Sequence, residues 1–147
     1  MHHSKTGGAA AMREAVVEGA CSPEVEGVEV RARPALEAGE ADVLWAEAVV
    51  LGTPENFGYM SGALKDFFDR TYYEVIDRTR GLPYALFVKA GHDGTGAVRS
   101  VERIVTGLAW RQVQPPLVVV GDLRPEHLDA CRELGMTMAA SLEMGLF

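Results

Sequence analysis

The sequence predicts an α/β domain, an open parallel sheet with helices on both faces. Two observations carry this. Apolar runs that end in glycine or a small polar loop recur along the chain, and stretches with a helical apolar stripe separate them. A third bounds it: 147 residues suit one domain spanning 1–147. Apolar residues make up 48% and charged residues 24%, which is enough to bury a core without disulfides or metals.

The elements follow in order. Ala9, Ala10 and Ala11 favour a helix over residues 8–18, with Met12 and Val16 on its apolar stripe and Gly19 as its stop. Residues 28–32 alternate with period two and close at Pro34, as an edge strand with one wetter face does. A short helix is expected at 41–46. Ala48, Val49, Val50, Leu51 and Gly52 form a continuous apolar run, the mark of a strand covered on both faces. Met60, Leu64, Phe67, Phe68 and Tyr72 then recur at helical spacing. Residues 83–88 make a second buried strand. Val98, Val101, Ile104, Val105 and Leu108 give another helical stripe, and residues 116–121 the last strand. Pro125 opens a final helix in its first turn, with Leu128, Cys131 and Leu134 facing inward.

A formal charge of −7 argues against a general nucleic-acid binder, which would need a basic patch. No apolar run reaches the roughly 18 residues that span a bilayer, and no signal-peptide core follows Met1. Cys21 and Cys131 lie in no metal-ligand spacing, so no metal is expected. They read as reduced, half-buried residues of helical regions in a cytoplasmic protein.

In an open parallel sheet, ligands sit beyond the carboxyl ends of the strands. Three loops rich in glycine and small polar residues fall at that edge. The first holds Ser4, Lys5, Thr6, Gly7, Gly8 and Ala9 and runs straight into a helix. Unpaired N–H groups and the helix dipole suit an anion there, although the same residues would serve as a plain N-cap. It lacks the Gly-Lys-Ser/Thr ending of the nucleotide P-loop. The second holds Pro54, Glu55, Asn56, Phe57 and Gly58, followed by Tyr59 and by Ser61 as a helix cap. Phe57 offers an aromatic edge to a flat ligand, or else packs locally. The third holds Gly91, His92, Asp93, Gly94, Thr95 and Gly96. His92 is a catalytic candidate or an exposed loop residue, and Asp93 reads first as a turn residue. His127 reads as surface.

The resemblance becomes specific at these loops. His3-Ser4-Lys5-Thr6-Gly7 resembles the Y/H-S-x-T-G phosphate loop of flavodoxin-like proteins. Gly52-Thr53-Pro54, Asn56-Phe57-Gly58, Met60-Ser61-Gly62, Leu64-Lys65 and Phe68-Asp69-Arg70 resemble the second loop and helix of flavodoxin-like NAD(P)H:quinone oxidoreductases and NADPH-dependent FMN reductases. The resemblance covers essentially the whole chain. It implies an FMN cofactor with its phosphate at residues 4–9 and its isoalloxazine between residues 54–58 and 91–96.

Two departures stand out. Gly8-Ala9 replace the family's usual Asn-Thr, which removes one hydroxyl from the phosphate site. The apolar strand that precedes the family's phosphate loop is also missing ahead of Met1. Residues 28–32 and 48–52 would then pair directly, leave a gap, or recruit a strand from another chain. The expectation is that Met1 is an internal start.

The resemblance implies an oxidoreductase that takes hydride from NAD(P)H as co-substrate and passes it to a quinone or another small acceptor. Electron-carrier flavodoxins cover both flavin faces with aromatics. The third loop here has no Tyr or Trp, which favours the enzyme over the carrier. A truncated member without flavin is the other reading. The acceptor, the choice of NADH or NADPH, and the oligomeric state, homo-oligomer included, stay open.

Overall fold

The computed structural model describes residues 1–3 and 7–147. Its elements run α1 (Gly8–Ala20), α2 (Glu40–Trp45), β1 (Val49–Pro54), α3 (Gly62–Val75), β2 (Pro83–Ala90), α4 (Thr95–Gly107), β3 (Arg111–Gln112), β4 (Leu117–Val120) and α5 (Pro125–Glu143). β1 pairs in parallel with β2, from Val49 opposite Tyr84 to Pro54 opposite Lys89. The other edge of β2 pairs in parallel with β3 at its start and with β4 at its end. Every strand therefore points its carboxyl end to one side of the molecule.

Each sheet face carries its own core. On one face Leu51, Leu86 and Val88 pack with Leu64, Phe67 and Phe68 of α3 and with Val101 and Val105 of α4. On the other face Ala85, Phe87 and Val119 pack with Met12 and Val16 of α1 and with Cys131, Leu134 and Met138 of α5. The run 83–88 is apolar throughout because alternate residues feed different cores. α1 and α5 pack closely because glycine stands at both contacts. A Cβ on Gly19 would lie 1.9 Å from the Arg132 carbonyl oxygen, and one on Gly135 would lie 1.9 Å from that of Val16.

The central strand position is partly filled. His2 N–H donates to Arg33 C=O at 3.2 Å and Ala35 N–H donates to His2 C=O at 2.7 Å. On the other side Gly52 N–H donates to Met1 C=O at 2.9 Å, and His3 N–H to Gly52 C=O at 3.2 Å. Residues 1–3 thus form the end of a parallel strand between residues 33–35 and β1. Residues 28–32 and 48–52 do not pair directly, and a cleft separates them. This also corrects the edge strand expected at 28–32. Val28 and Val30 are half-buried and Glu29 and Arg31 exposed, as alternation requires, yet no ladder forms because no strand lies beside them. The two-residue β3 left no pattern in the sequence, and the final helix opens at Pro125 as expected and runs on to Glu143. Cys21 is exposed rather than half-buried, and Cys131 is buried.

Candidate functional site

The carboxyl edge gathers the loops that follow β1 and β2 and the start of α1. Ser4, Lys5 and Thr6 lie outside the described residues. Gly7 caps α1 with φ 86°, a left-handed conformation suited to glycine, and accepts the Ala11 N–H at 2.9 Å. Among the described residues no atom lies within 4 Å of where a Gly7 Cβ would be. Ala9 is buried in the helix and offers no side chain to the edge.

Lys89, near the end of β2, reaches this place from below. Its Cγ and Cε lie 3.2 Å from the position of a Gly8 Cβ, and its Nζ donates to the Gly121 carbonyl. Its charge joins the positive end of the α1 dipole at one corner of the edge. Lys89 is not among the residues expected at the site. Its signal was present, because Lys89 is the one charged residue in the run Pro83–Ala90.

The second loop is a rigid arm. Glu55 N–H continues the sheet by donating to Lys89 C=O at 2.9 Å. Asn56 and Tyr59 then exchange N–H···O=C bonds of 2.9 and 3.0 Å around the two-residue tip Phe57-Gly58. Both tip residues are left-handed, with φ 53° and 67°. That is the primed turn of a tight hairpin, which glycine accepts freely and phenylalanine does not. Phe57 projects fully into solvent. The return limb is pinned by buried hydroxyls. Ser61 N–H donates to Thr53 Oγ1 at 2.9 Å and Met60 N–H to Ser100 Oγ at 3.0 Å. Ser61 Oγ in turn accepts Leu64 N–H at 3.2 Å and caps α3, as expected.

The third loop leans on the second. His92 N–H donates to Glu55 Oε2 at 3.0 Å, a pairing that no sequence pattern announces. Asp93 Oδ1 accepts Thr95 N–H at 2.9 Å. That bond holds the Asp93 carboxyl below its usual pKa, so it is an ionised turn residue. Two of the loop's glycines answer to protein neighbours. A Cβ on Gly94, at φ 75°, would meet Val118 Cγ1 at 2.5 Å, and one on Gly96 would lie 1.8 Å from the Gly58 carbonyl oxygen. A Cβ on Gly91, by contrast, would have nothing within 4 Å among the described residues. His92 is exposed beside it.

The arrangement fits FMN. Gly7, in a left-handed conformation, caps a helix N-terminus where a phosphate is favoured. An exposed aromatic at Phe57 and open space over Gly58 and Gly91 suit a flat ring.

The parallel sheet, the helices on both faces and the loops gathered at its carboxyl edge define a flavodoxin-like protein. Solved flavodoxins superpose on it. An archaeal flavodoxin matches with a TM-score of 0.83 at 22% identity, covering 97% of this chain and 95% of that one. A WrbA-like flavodoxin from Agrobacterium tumefaciens matches with a TM-score of 0.75 at 18% identity over 98% and 94%. In sequence, residues 9–123 match the model of the NADPH-dependent FMN reductase family, and the chain belongs to that family. It is also 31% identical over 155 residues to a flavodoxin of Aquifex aeolicus, covering 95% of this chain and 83% of the relative.

Proposed function

We propose that the chain binds FMN across this edge and passes hydride equivalents from NAD(P)H to a small acceptor such as a quinone. The observation that carries the reading is the uncovered third loop. Gly91 presents no side chain, and neither Tyr nor Trp occurs from Gly91 to Gly96. A nicotinamide must come within about 3–3.5 Å of the ring it reduces, and only small residues leave that room.

The other parts take supporting roles. Backbone N–H groups at the start of α1, with Lys89 close by, hold the phosphate, and Ser4 and Thr6 add hydroxyl donors in keeping with the motif. Phe57 flanks the ring from the tip of the second loop, and the Glu55–His92 bond fixes the spacing of the two loops. Bound FMN supplies the capacity to take up and release an electron pair. The exposed His92 would hydrogen-bond to an acceptor oxygen or hand it a proton. The cytoplasm suits two free thiols.

A second reading, a single-electron carrier, is favoured by the 31% identity to a protein named flavodoxin. One experiment separates the two. FMN-loaded protein is mixed anaerobically with NADPH or NADH, and the flavin absorbance near its visible maximum is followed. Bleaching within minutes, reversed by a quinone, supports the oxidoreductase. No bleaching by either nucleotide, with ready reduction by a reductase protein, gives the carrier.

A further inference from the structure

At the start of α1 the described residues bring no polar side chain to the edge. Gly7 and Gly8 have none, and Ala9 is buried. A cation comes instead from β2. Ala85, Phe87 and Lys89 alternate onto the sheet face that α1 and α5 cover, and Lys89 lies one residue short of the strand end, beside Pro54 of β1 and Val119 of β4. Building on the reading that FMN binds at this edge, we propose that the Lys89 ammonium is the group that selects FMN over riboflavin, the same flavin without its phosphate.

Reach is set by Gly8. A Cβ there would lie 3.2 Å from both Cγ and Cε of Lys89 and 3.5 Å from its Cδ, so the lysine stem runs along the first residue of the helix. The Cε–Nζ bond spans about 1.5 Å, which keeps the ammonium within about 5 Å of that point. The first N–H groups of a helix have no acceptor inside it, and with the helix dipole they favour an anion. A phosphate seated on them falls within the sweep of the last two side-chain bonds of Lys89.

The protein holds this ammonium in place without neutralising it. Nζ donates to Gly121 C=O and lies 3.5 Å from Ala90 C=O. Gly121 is tied to the same strand end, since its N–H donates to Ala90 C=O at 3.1 Å. Among the described residues no carboxylate pairs with Lys89. An ammonium has three protons, and two carbonyls leave one for a phosphate oxygen. A charge-assisted bond of this kind is about twice as strong as a neutral one. It acts on a phosphate carrying a charge of about −2, and the hydroxyl that riboflavin has in its place gains little from it. A lysine that only filled space would serve both flavins alike.

The test measures the Kd of FMN and of riboflavin by flavin fluorescence in the parent, Lys89→Gln, Lys89→Arg and Arg103→Gln. The last removes the same charge from an exposed position on α4, across the sheet. Lys89→Gln is expected to weaken FMN at least tenfold and to leave riboflavin within about twofold. Lys89→Arg should keep most of the preference for FMN, and Arg103→Gln should move neither flavin by more than about twofold. Raising KCl from about 20 to about 500 mM should weaken FMN at least threefold in the parent and less in Lys89→Gln. Urea melts report whether Lys89→Gln is folded. Were it not, the salt series of the parent decides, and an FMN affinity indifferent to salt overturns the proposal. With a folded variant, unchanged FMN affinity, or equal losses of FMN and riboflavin, overturns it and leaves the edge as the flavin site. So does a parent that binds both flavins equally. A parent that binds neither overturns the reading of the site, and this proposal with it.

Discussion

Replacing Gly96 by alanine tests how the second and third loops are coupled. A Cβ there would lie 1.8 Å from the Gly58 carbonyl oxygen, with Gly58 carbonyl carbon at 2.7 Å. Both are backbone atoms, so no side-chain rotation relieves the contact. The arm carrying Phe57 and the start of α4 must separate by about 1.5 Å to reach ordinary contact distance. Overpacking of this kind costs about 1–3 kcal/mol. The arm cannot absorb the shift freely, because Met60 and Ser61 are bonded to Ser100 and Thr53. The G96A variant should therefore lose about 1–3 kcal/mol in urea melts and bind FMN at least tenfold more weakly, as Phe57 is carried away from the ring. Gly62 is the control. It opens α3 with nothing within 4 Å, so G62A should be neutral or stabilising by up to about 1 kcal/mol. A G96A variant within about 0.5 kcal/mol of the parent, with FMN affinity unchanged, would refute the close approach of the two loops.

Three other outcomes are expected. Phe57→Gly relieves a left-handed φ of 53° at a side chain that touches solvent only, so stability should rise by about 1 kcal/mol while FMN affinity falls; a fall in both would mean Phe57 packs on the protein. Thr53→Val leaves the buried Ser61 N–H without its acceptor and should lower stability by about 1–3 kcal/mol, against a negligible effect if that bond is absent. Burial lowers the Met1 amine from 8.0 to about 6 and His2 from 6.5 to about 4, so both bind protons more weakly in the folded state. Stability should then fall as pH drops from 8 to 6, by about 2 kcal/mol for the amine alone, with His2 adding in the same direction. Acetylating the amine should flatten that slope, and an equally steep slope after acetylation would place its cause elsewhere.

Much of the fold was legible because its elements are strongly patterned. The run Ala48 to Gly52 and residues 83–88 are apolar without a break, since β1 and β2 are covered on both faces, and the stripe Met60-Leu64-Phe67-Phe68 lies on one side of α3. The segment 28–32 shows the limit of that reasoning. Its alternation was read correctly as one wet and one dry face, but a ladder also needs a neighbour, and alternation says nothing about what stands alongside. At the site, the glycines announced close approach without saying to what. Gly94 and Gly96 approach Val118 and Gly58, whereas among the described residues nothing lies within 4 Å of a Cβ at Gly91. The Glu55–His92 bond joins positions 37 residues apart with no pattern to link them. Lys89 was visible as a charge inside an apolar strand, a local conflict of the sort that marks functional places.

The central claim is that FMN binds across the edge formed by Gly7, Phe57 and Gly91, and flavin fluorescence tests it most directly. FMN at about 1 µM is titrated with the protein, with the F57G and G96A variants in parallel. Quenching should saturate by tens of micromolar protein, on the order of modest ligand affinity, and the curves of both variants should move to higher concentration. Unquenched FMN at about 100 µM protein, or quenching that neither substitution alters, would contradict the assignment of this edge as the flavin site.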